Sequence, residues 1–485
     1  MNRTRLVSAL AMAALAAILL PSTLTAQITF ERTYGGADED FGTSVQQTSD
    51  GGFIATGYTY SYGAGELDLW LIKTDANGDT MWTRTFGGDN DEFGHSVQLT
   101  RDGGYIVAGE TRSFGYSDFY LVKTDEDGDE TWTRVISSGH GGDLGNSVQQ
   151  AADGGYVIAG TADADDLGFG LVCIARTDSC GETLWTRTFG TGMDYGYSVQ
   201  QTVDGGFIVA GGTRSFGAGS CDVWLLKVSS DGETLWTKTY GGAQYDCGFS
   251  VQITAESGFA IAGCLDPGNT GGGDVYLVRT DERGDTLWTR TYGGSQYDIG
   301  YSVGQTADGG YIIAGSTNSL GAGRDDVYLI KTNAVGDTFW TRTFGGVDDD
   351  WASSVQQTAD GGYIIAGVTE SYGSGNADFY LIKTDSMGNV AVAEPNTSPT
   401  RAPALSLTCT PNPASGSVTI SLSPSIPLSL SPILRVYDSQ GRMVLSREVS
   451  TSPFPLPTSD LPSGAYFARL DAGGQHATTR IVLQR

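Results

Sequence analysis

Seven acids recur at one place in a repeated segment: Asp40, Glu92, Asp143, Asp194, Asp246, Asp298 and Asp350, each two residues before a Gly or Ala. Gathered around one opening, they would offer hard oxygen ligands to a cation such as Ca2+. The same carboxylates can instead accept backbone N–H bonds from their own loops and clamp neighbouring units together. Sevenfold repetition favours the clamp. The turns Asp75 to Asp79 (DANGD) and Asp125 to Asp129 (DEDGD) look a little like calcium loops, but Arg283 and Val335 replace would-be ligands in later copies, which points to hairpin stabilisation.

A second group breaks the repetition. His140, in Ser137-Ser138-Gly139-His140, and Asp163, Asp165 and Asp166 form a patch in the third copy that could be a metal or acid–base cluster, or a drifted, solvated loop. His95 and His476 stand in other contexts and assemble no triad. A third group is the aromatic of a Thr-x-Ser-aromatic-Gly pattern: Tyr62, Phe114, Phe216 and Tyr372, with Leu320 in another copy. Exposed, these rings would stack on sugars at repeated sites and gain by multivalency; otherwise they plug the seams between units. Five of six cysteines lie between residues 173 and 264. The hairpin about Ala255-Glu256 sets Cys247 opposite Cys264, so a cross-strand disulfide is expected there, with Cys221 as a rival partner for either. No Cys-x-x-Cys pair points to metal.

The elements that must position these residues follow from the repeat. Trp82, Trp132, Trp185, Trp236, Trp288 and Trp340 are 50 to 53 residues apart, and Phe30 holds the same place before the first. Such a period signals a solenoid, propeller or array. One unit reads as four strands, 43–48, 53–59, 67–74 and 80–86, rich in β-branched and aromatic residues. Asp-Gly-Gly joins the first two; only Glu256-Ser257-Gly258 departs. The last unit lacks its Trp strand, and the missing strand stands at the other end, over 28–34. The expected fold is therefore all-β: a seven-bladed β-propeller of four-stranded blades with 3+1 closure by the N-terminal strand, followed by a small C-terminal β-sandwich. Lys or Arg recurs on strands three and four, as in Lys73 and Arg84, and is expected to form ion pairs worth little when exposed.

Residues 1–26 combine Arg3 and Arg5, an apolar run and a small-polar end, the order of a signal peptide. The propeller occupies 27–390, a Pro/Ser/Thr/Ala-rich linker 391–404, and the C-terminal domain 405–485. No later apolar run is long enough to span a bilayer, so no transmembrane segment is expected in the mature chain. The 485 residues carry a net charge of −28. Both ends are slightly basic, so the propeller is more acidic still and repels phosphate backbones; nucleic acid is not an expected partner.

The C-terminal segment resembles the sorting domain of the type IX secretion system, through Pro411-Asn412-Pro413, Val436-Tyr437-Asp438-Ser439-Gln440-Gly441-Arg442, Leu461-Pro462-Ser463-Gly464-Ala465-Tyr466-Phe467 and a basic end. Cys409 and Thr410 depart slightly from the pattern. That resemblance implies engagement of the type IX machinery, and release or anchoring at the surface of a Gram-negative bacterium. The repeats are similar to secreted bacterial β-propeller repeats of the SBBP type, a likeness that fixes no activity. The expected function is a non-catalytic secreted or cell-surface module that binds an extracellular polysaccharide or protein. The rival readings are an extracellular polysaccharide hydrolase or lyase on the channel face, and a purely structural surface protein.

Overall fold

The computed structural model describes residues 27–390 except 115–116, 140, 164–169, 267 and 269–271, and residues 406–484 except 411–413, 415–417, 424–432, 439–441, 450–453, 457, 459–460 and 473–474. The expected signal peptide and linker lie outside the described residues. The chain divides into two compact units, one ending at Ala391 and the other beginning at Val392.

The described part of the first unit contains strands and no helix. Its first sheet runs Asp40–Gln47, Phe53–Thr59, Asp68–Thr74 and Thr80–Phe86, antiparallel and in chain order. Five more sheets of the same plan begin at Glu92, Asp143, Asp194, Asp246 and Asp298. Asp350–Gln357, Tyr363–Thr369 and Asp378–Thr384 form three strands of a seventh, and its fourth is Phe30–Tyr34, with Phe30 opposite Lys383 and Tyr34 opposite Phe379. The strand from the start of the chain thus completes the last sheet.

Glycine makes the tight reversals, for example Gly51 at φ 84° and Gly78 at φ 79°. In the one departing hairpin Ser257 takes this conformation at φ 64°, against its steric preference. The innermost strands begin three residues earlier than the sequence suggests, at Asp40 rather than Thr43. Gly42 and Gly57 look like strand breakers, but the sheet needs them: a Cβ on Gly57 would sit 1.7 Å from the Phe41 carbonyl, and one on Gly42 would sit 2.5 Å from the Gly367 carbonyl of the seventh sheet.

Adjacent sheets meet through two repeated devices. On the innermost strands a serine hydroxyl accepts the N–H of the next sheet's valine: Ser44 from Val97, Ser96 from Val148, Ser147 from Val199, Ser198 from Val251, Ser250 from Val303 and Ser302 from Val355, all at 3.1–3.3 Å. Ser354 of the seventh sheet accepts the same bond from Val45 of the first, at 3.3 Å. Near the rim, each outer-strand tryptophan packs on an aromatic of the next sheet, as Trp82 on Tyr105 (centroids 6.0 Å apart) and Trp340 on Tyr363 (5.8 Å). Phe30 makes the equivalent contact with Phe53 at 6.0 Å.

The third strand of the first sheet is buried along its whole length, yet it carries Lys73. Lys73 bonds Asp50 of the Asp-Gly-Gly turn at 2.8 Å, and Lys123, Arg176, Lys227, Arg279, Lys331 and Lys383 pair in the same way with Asp102, Asp153, Asp204, Glu256, Asp308 and Asp360. These cations are only 3–6% exposed, so the pairs differ from the exposed kind expected for them. Fourth-strand cations reach the next sheet in the open, as Arg84 to Asp129 at 3.0 Å.

In the second unit Met443–Glu448, Ile433–Asp438, Gly464–Ala472 and Gln475–Leu483 form one sheet, and Ser406–Thr410, Val418–Ser423 and Phe454–Leu456 another. Val418, Ile420 and Leu456 from the smaller sheet share one apolar core with Val436, Ala468 and Ile481 from the larger. Asp438 closes its turn by accepting the Arg442 N–H at 3.0 Å and its guanidinium at 2.8 Å.

Candidate functional site

Every innermost strand carries a one-residue bulge, with register shifts between Gly42 and Ser44, Gly94 and Ser96, Gly145 and Ser147, Gly196 and Ser198, Gly248 and Ser250, Gly300 and Ser302, and Ala352 and Ser354. A bulge leaves its extra residue unpaired and re-aims that side chain. The seven extra residues, one per sheet and about 52 positions apart in sequence, line a single cavity of about 380 Å³.

That cavity is two-sided. Tyr197, Phe249 and Tyr301 make one wall, with centroids 5.1 Å and 5.2 Å apart, and Trp351 joins the lining. The other residues are Thr43, His95, Asn146 and Ser353. Thr43 donates to the Gly94 carbonyl at 2.7 Å and Asn146 to the Gly196 carbonyl at 2.8 Å, each reaching into the next sheet. His95 stacks on Phe93 (6.2 Å, 3° between planes) and meets the edge of Tyr58 at 6.5 Å. Burial lowers the His95 pKa to about 4, so its ring is neutral at physiological pH, with one nitrogen donating and the other accepting. No lining side chain is then charged, in a chain of net charge −28. Trp351 stands next to Asp350, the first residue of its strand, so the cavity extends toward the end of the sheets where the links between second and third strands lie.

Sequence reasoning missed this cavity, although its signal is present. The residue before each Ser-Val reads Thr, His, Asn, Tyr, Phe, Tyr and Ser, more varied than its neighbours.

The seven acids begin strands rather than sit in loops. Asp40, Glu92, Asp143, Asp194, Asp246, Asp298 and Asp350 each begin a strand and are 0% exposed. Asp40 accepts the Gly36 N–H at 2.8 Å, the Ser61 hydroxyl at 2.7 Å and the Thr59 hydroxyl. Asp298 repeats this with Gly294 at 2.8 Å, Ser319 at 2.7 Å and Thr317. The Thr and Ser of the Thr-x-Ser-aromatic-Gly pattern therefore hold the acid that ties one link to another. Among the described residues no group of three or more His, Cys, Asp or Glu is arranged to hold a metal.

The aromatics of that pattern lie at the surface, with Tyr62, Phe114, Phe216 and Tyr372 between 45% and 64% exposed and Leu320 42% exposed. Tyr62 leans on Trp70 at 5.4 Å and Phe216 on Trp224 at 5.5 Å. The Tyr62 and Tyr372 hydroxyls donate to the Gly35 and Gly345 carbonyls at 2.9 and 2.7 Å. Tyr62, Phe216 and Tyr372 are thus held on one side while much of each ring meets solvent. Of the third-copy patch, His140, Asp165 and Asp166 lie outside the described residues, as does the side chain of Asp163.

Cys247 and Cys264 face each other across the hairpin, as expected, and no disulfide joins Cys221, Cys247 or Cys264 in this structure. The thiol hydrogen-bonded to Cys247 is that of Cys221, while Cys264 takes the backbone N–H of Cys247.

Residues 409–484 match the family described as the secretion system C-terminal sorting domain. The chain carries a type IX sorting domain. Such a tail implies a secreted or cell-surface protein of a Bacteroidetes-type bacterium. Among the described residues no helix is long and apolar enough to cross a membrane. The regulatory protein FlaEY of Caulobacter vibrioides is 25% identical over 178 residues, which cover 32% of this chain and 18% of that protein. The chain therefore spans under a fifth of the length of that relative. Similar solved structures include the β-propeller domain of the Trilobed protease from Pyrococcus furiosus (7% identity, TM-score 0.41, covering 74% of this chain and 99% of that one). Sqt1 from Chaetomium thermophilum (13%, 0.43, 75% and 86%) and puromycin hydrolase (12%, 0.47, 90% and 61%) are two others.

Proposed function

We propose that the seven sheets close into a seven-bladed propeller, exported by the type IX route, which binds a neutral saccharide polymer outside the cell without turning it over. Closure is supported by the Ser354–Val45 bond and the Phe30–Phe53 contact, which repeat between the seventh and first sheets what joins every other pair. The observation that carries the binding reading is the cavity's division into an aromatic wall and an uncharged polar wall. A pyranose ring has the same two characters, an apolar C–H face that stacks on aromatics and a rim of hydroxyls that exchange hydrogen bonds with neutral donors and acceptors. The exposed rings Tyr62, Phe114, Phe216 and Tyr372 would add weaker contacts for neighbouring sugars of the chain. Glycoside hydrolysis commonly uses two carboxylates across the scissile bond, and the cavity lining contributes none, which favours binding over cleavage.

The test is a panel of soluble neutral and acidic polysaccharides titrated into the full exported chain. Retention of a neutral glycan without new reducing ends is expected, and Tyr197→Ala or Phe249→Ala should each weaken it about fivefold, the worth of roughly 1 kcal/mol of stacking. Equal binding by wild type and both variants removes the cavity from the reading. New reducing ends would favour the hydrolase or lyase, with His140, Asp163, Asp165 and Asp166 as the residues to mutate first.

A further inference from the structure

Sheets four and five meet at a seam where three positions depart from the repeat together. Cys221 immediately precedes the third strand of the fourth sheet, Asp222–Val228, where the first and seventh sheets have Leu67 and Ala377. Cys247 is the second residue of the innermost strand of the fifth sheet, Asp246–Ile253, where other sheets have Phe41, Ile299 or Trp351. Gly212 lies between them, where the equivalent residues are Tyr58, Glu110, Thr161, Cys264, Ser316 and Val368. A Cβ on Gly212 would stand 2.7 Å from the Cys247 sulfur and 3.1 Å from the Cys221 sulfur. Glycine is what leaves room for the two sulfurs side by side.

The backbone holds this approach. Cys221 forms a parallel bridge with Tyr245, the Asp246 N–H donates to the Cys221 carbonyl at 2.9 Å, and the Ser220 N–H donates to the Gln244 carbonyl at 3.1 Å. Both cysteines are 0% exposed, and their thiols share a hydrogen bond. That bond draws the Cys221 thiol below its ordinary pKa and pushes Cys247 above.

The geometry points to a disulfide between Cys221 and Cys247 that joins the fourth and fifth sheets, formed while the chain crosses an oxidising compartment. The oxidant is a protein disulfide donor of the thiol–disulfide oxidoreductase class. The Cys221 thiolate attacks the donor's disulfide and expels one donor thiolate, giving a mixed disulfide. The Cys247 thiolate then attacks the Cys221 sulfur and expels the second. Two thiols become one S–S bond, two electrons reduce the donor to its dithiol, and the two protons pass to the expelled thiolates or to solvent. Both cysteines are buried in the folded unit, so the exchange precedes closure of the seam. The cross-link ties Cys247 to the neighbouring sheet two residues from Phe249, and so fixes the spacing of Phe249 and Tyr197 in the aromatic wall.

Export supplies only the oxidant, so two preparations separate a failure of the bond from a failure of export. Exported full-length protein, and full-length protein refolded in a glutathione disulfide buffer, are denatured in acid, alkylated without reduction, and digested with trypsin and a glutamyl endopeptidase. Cleavage after Glu256 parts Cys247 from Cys264. The expected product in both is peptide 215–227 joined to peptide 239–256, lighter than the two free peptides by two hydrogen atoms, with Cys264 alkylated. Cys264→Ser should retain the joined product and Cys221→Ser should lose it. Alkylated Cys221 and Cys247 in both preparations, or Cys247 joined to Cys264, would overturn the proposal. The bond in refolded protein alone would uphold the site and count against export through an oxidising compartment.

Discussion

Asp308→Asn should destabilise the first unit by about 2 kcal/mol at pH 7, with a pH dependence that reveals the cause. Lys331 lies 5% exposed on a third strand, its ammonium 2.9 Å from Asp308 and 2.8 Å from the Thr332 carbonyl. Bonds from Thr306, Lys331 and the Gly310 N–H outweigh partial burial and lower the Asp308 pKa from 3.8 to about 2. A shift of that size corresponds to at most about 2.5 kcal/mol. The carboxylate is 54% exposed, so solvent screening reduces its own share to about 1 kcal/mol. The remainder comes from Lys331, which in the variant keeps its burial and loses its counter-charge. Because the folded pKa is depressed, the stabilisation is complete above the unfolded value of 3.8 and is lost as pH falls through about 2. Calorimetric melting of wild type and variant should differ by about 2.5 °C at pH 7 and converge near pH 2. Lys331→Met combined with Asp308→Asn should recover most of the loss, since an apolar pair needs no partner. A gap below about 1 °C at pH 7, or one unchanged down to pH 2, would refute the reasoning.

Glu110 gives the opposite sign. Burial, only partly offset by Arg112 at 3.2 Å, raises its pKa from 4.5 to about 7, so a stability penalty grows as pH rises from 4.5 through 7. Glu110→Gln should therefore stabilise the first unit by about 1 kcal/mol at pH 8, read as a higher melting temperature, and leave it unchanged at pH 4. Ser354→Ala should destabilise as much as Ser250→Ala, about 1 kcal/mol by urea unfolding, if the seventh and first sheets meet as the others do; an effect from Ser250→Ala alone would mean an open ring. Excess chelator should leave the melting temperature unchanged, because Asp40 and its counterparts are already engaged by their own links; a fall of several degrees would restore a cation to that ring.

The repeat was legible because hairpin chemistry is local. Asp50-Gly51-Gly52 and the period of Trp82 to Trp340 announce four strands per unit, and the relocated strand at Phe30 follows from counting. Strand starts were less legible. Gly42 marks a boundary on propensity alone, and only the near contact with Gly367 explains why glycine belongs inside a strand. For the same reason Asp40 read as a loop residue, when it begins the strand; there it accepts the Gly36 N–H of its own link, the clamp favoured for it, beneath the hydroxyls of Thr59 and Ser61.

By itself, the sequence determined the number of units, their strands and turns, and the sorting domain at the end, since each depends on residues close together in the chain. Only the tertiary structure decided which side chains meet. Thr43, His95, Asn146, Tyr197, Phe249, Tyr301 and Ser353 stand in seven separate strands, and the Cys247 thiol is hydrogen-bonded to Cys221 of the neighbouring sheet rather than to the Cys264 thiol across its own hairpin. A bulge re-aims each of the seven, which line one cavity, and a glycine in a neighbouring strand makes space for two sulfurs; both are relations between strands, set by the tertiary structure.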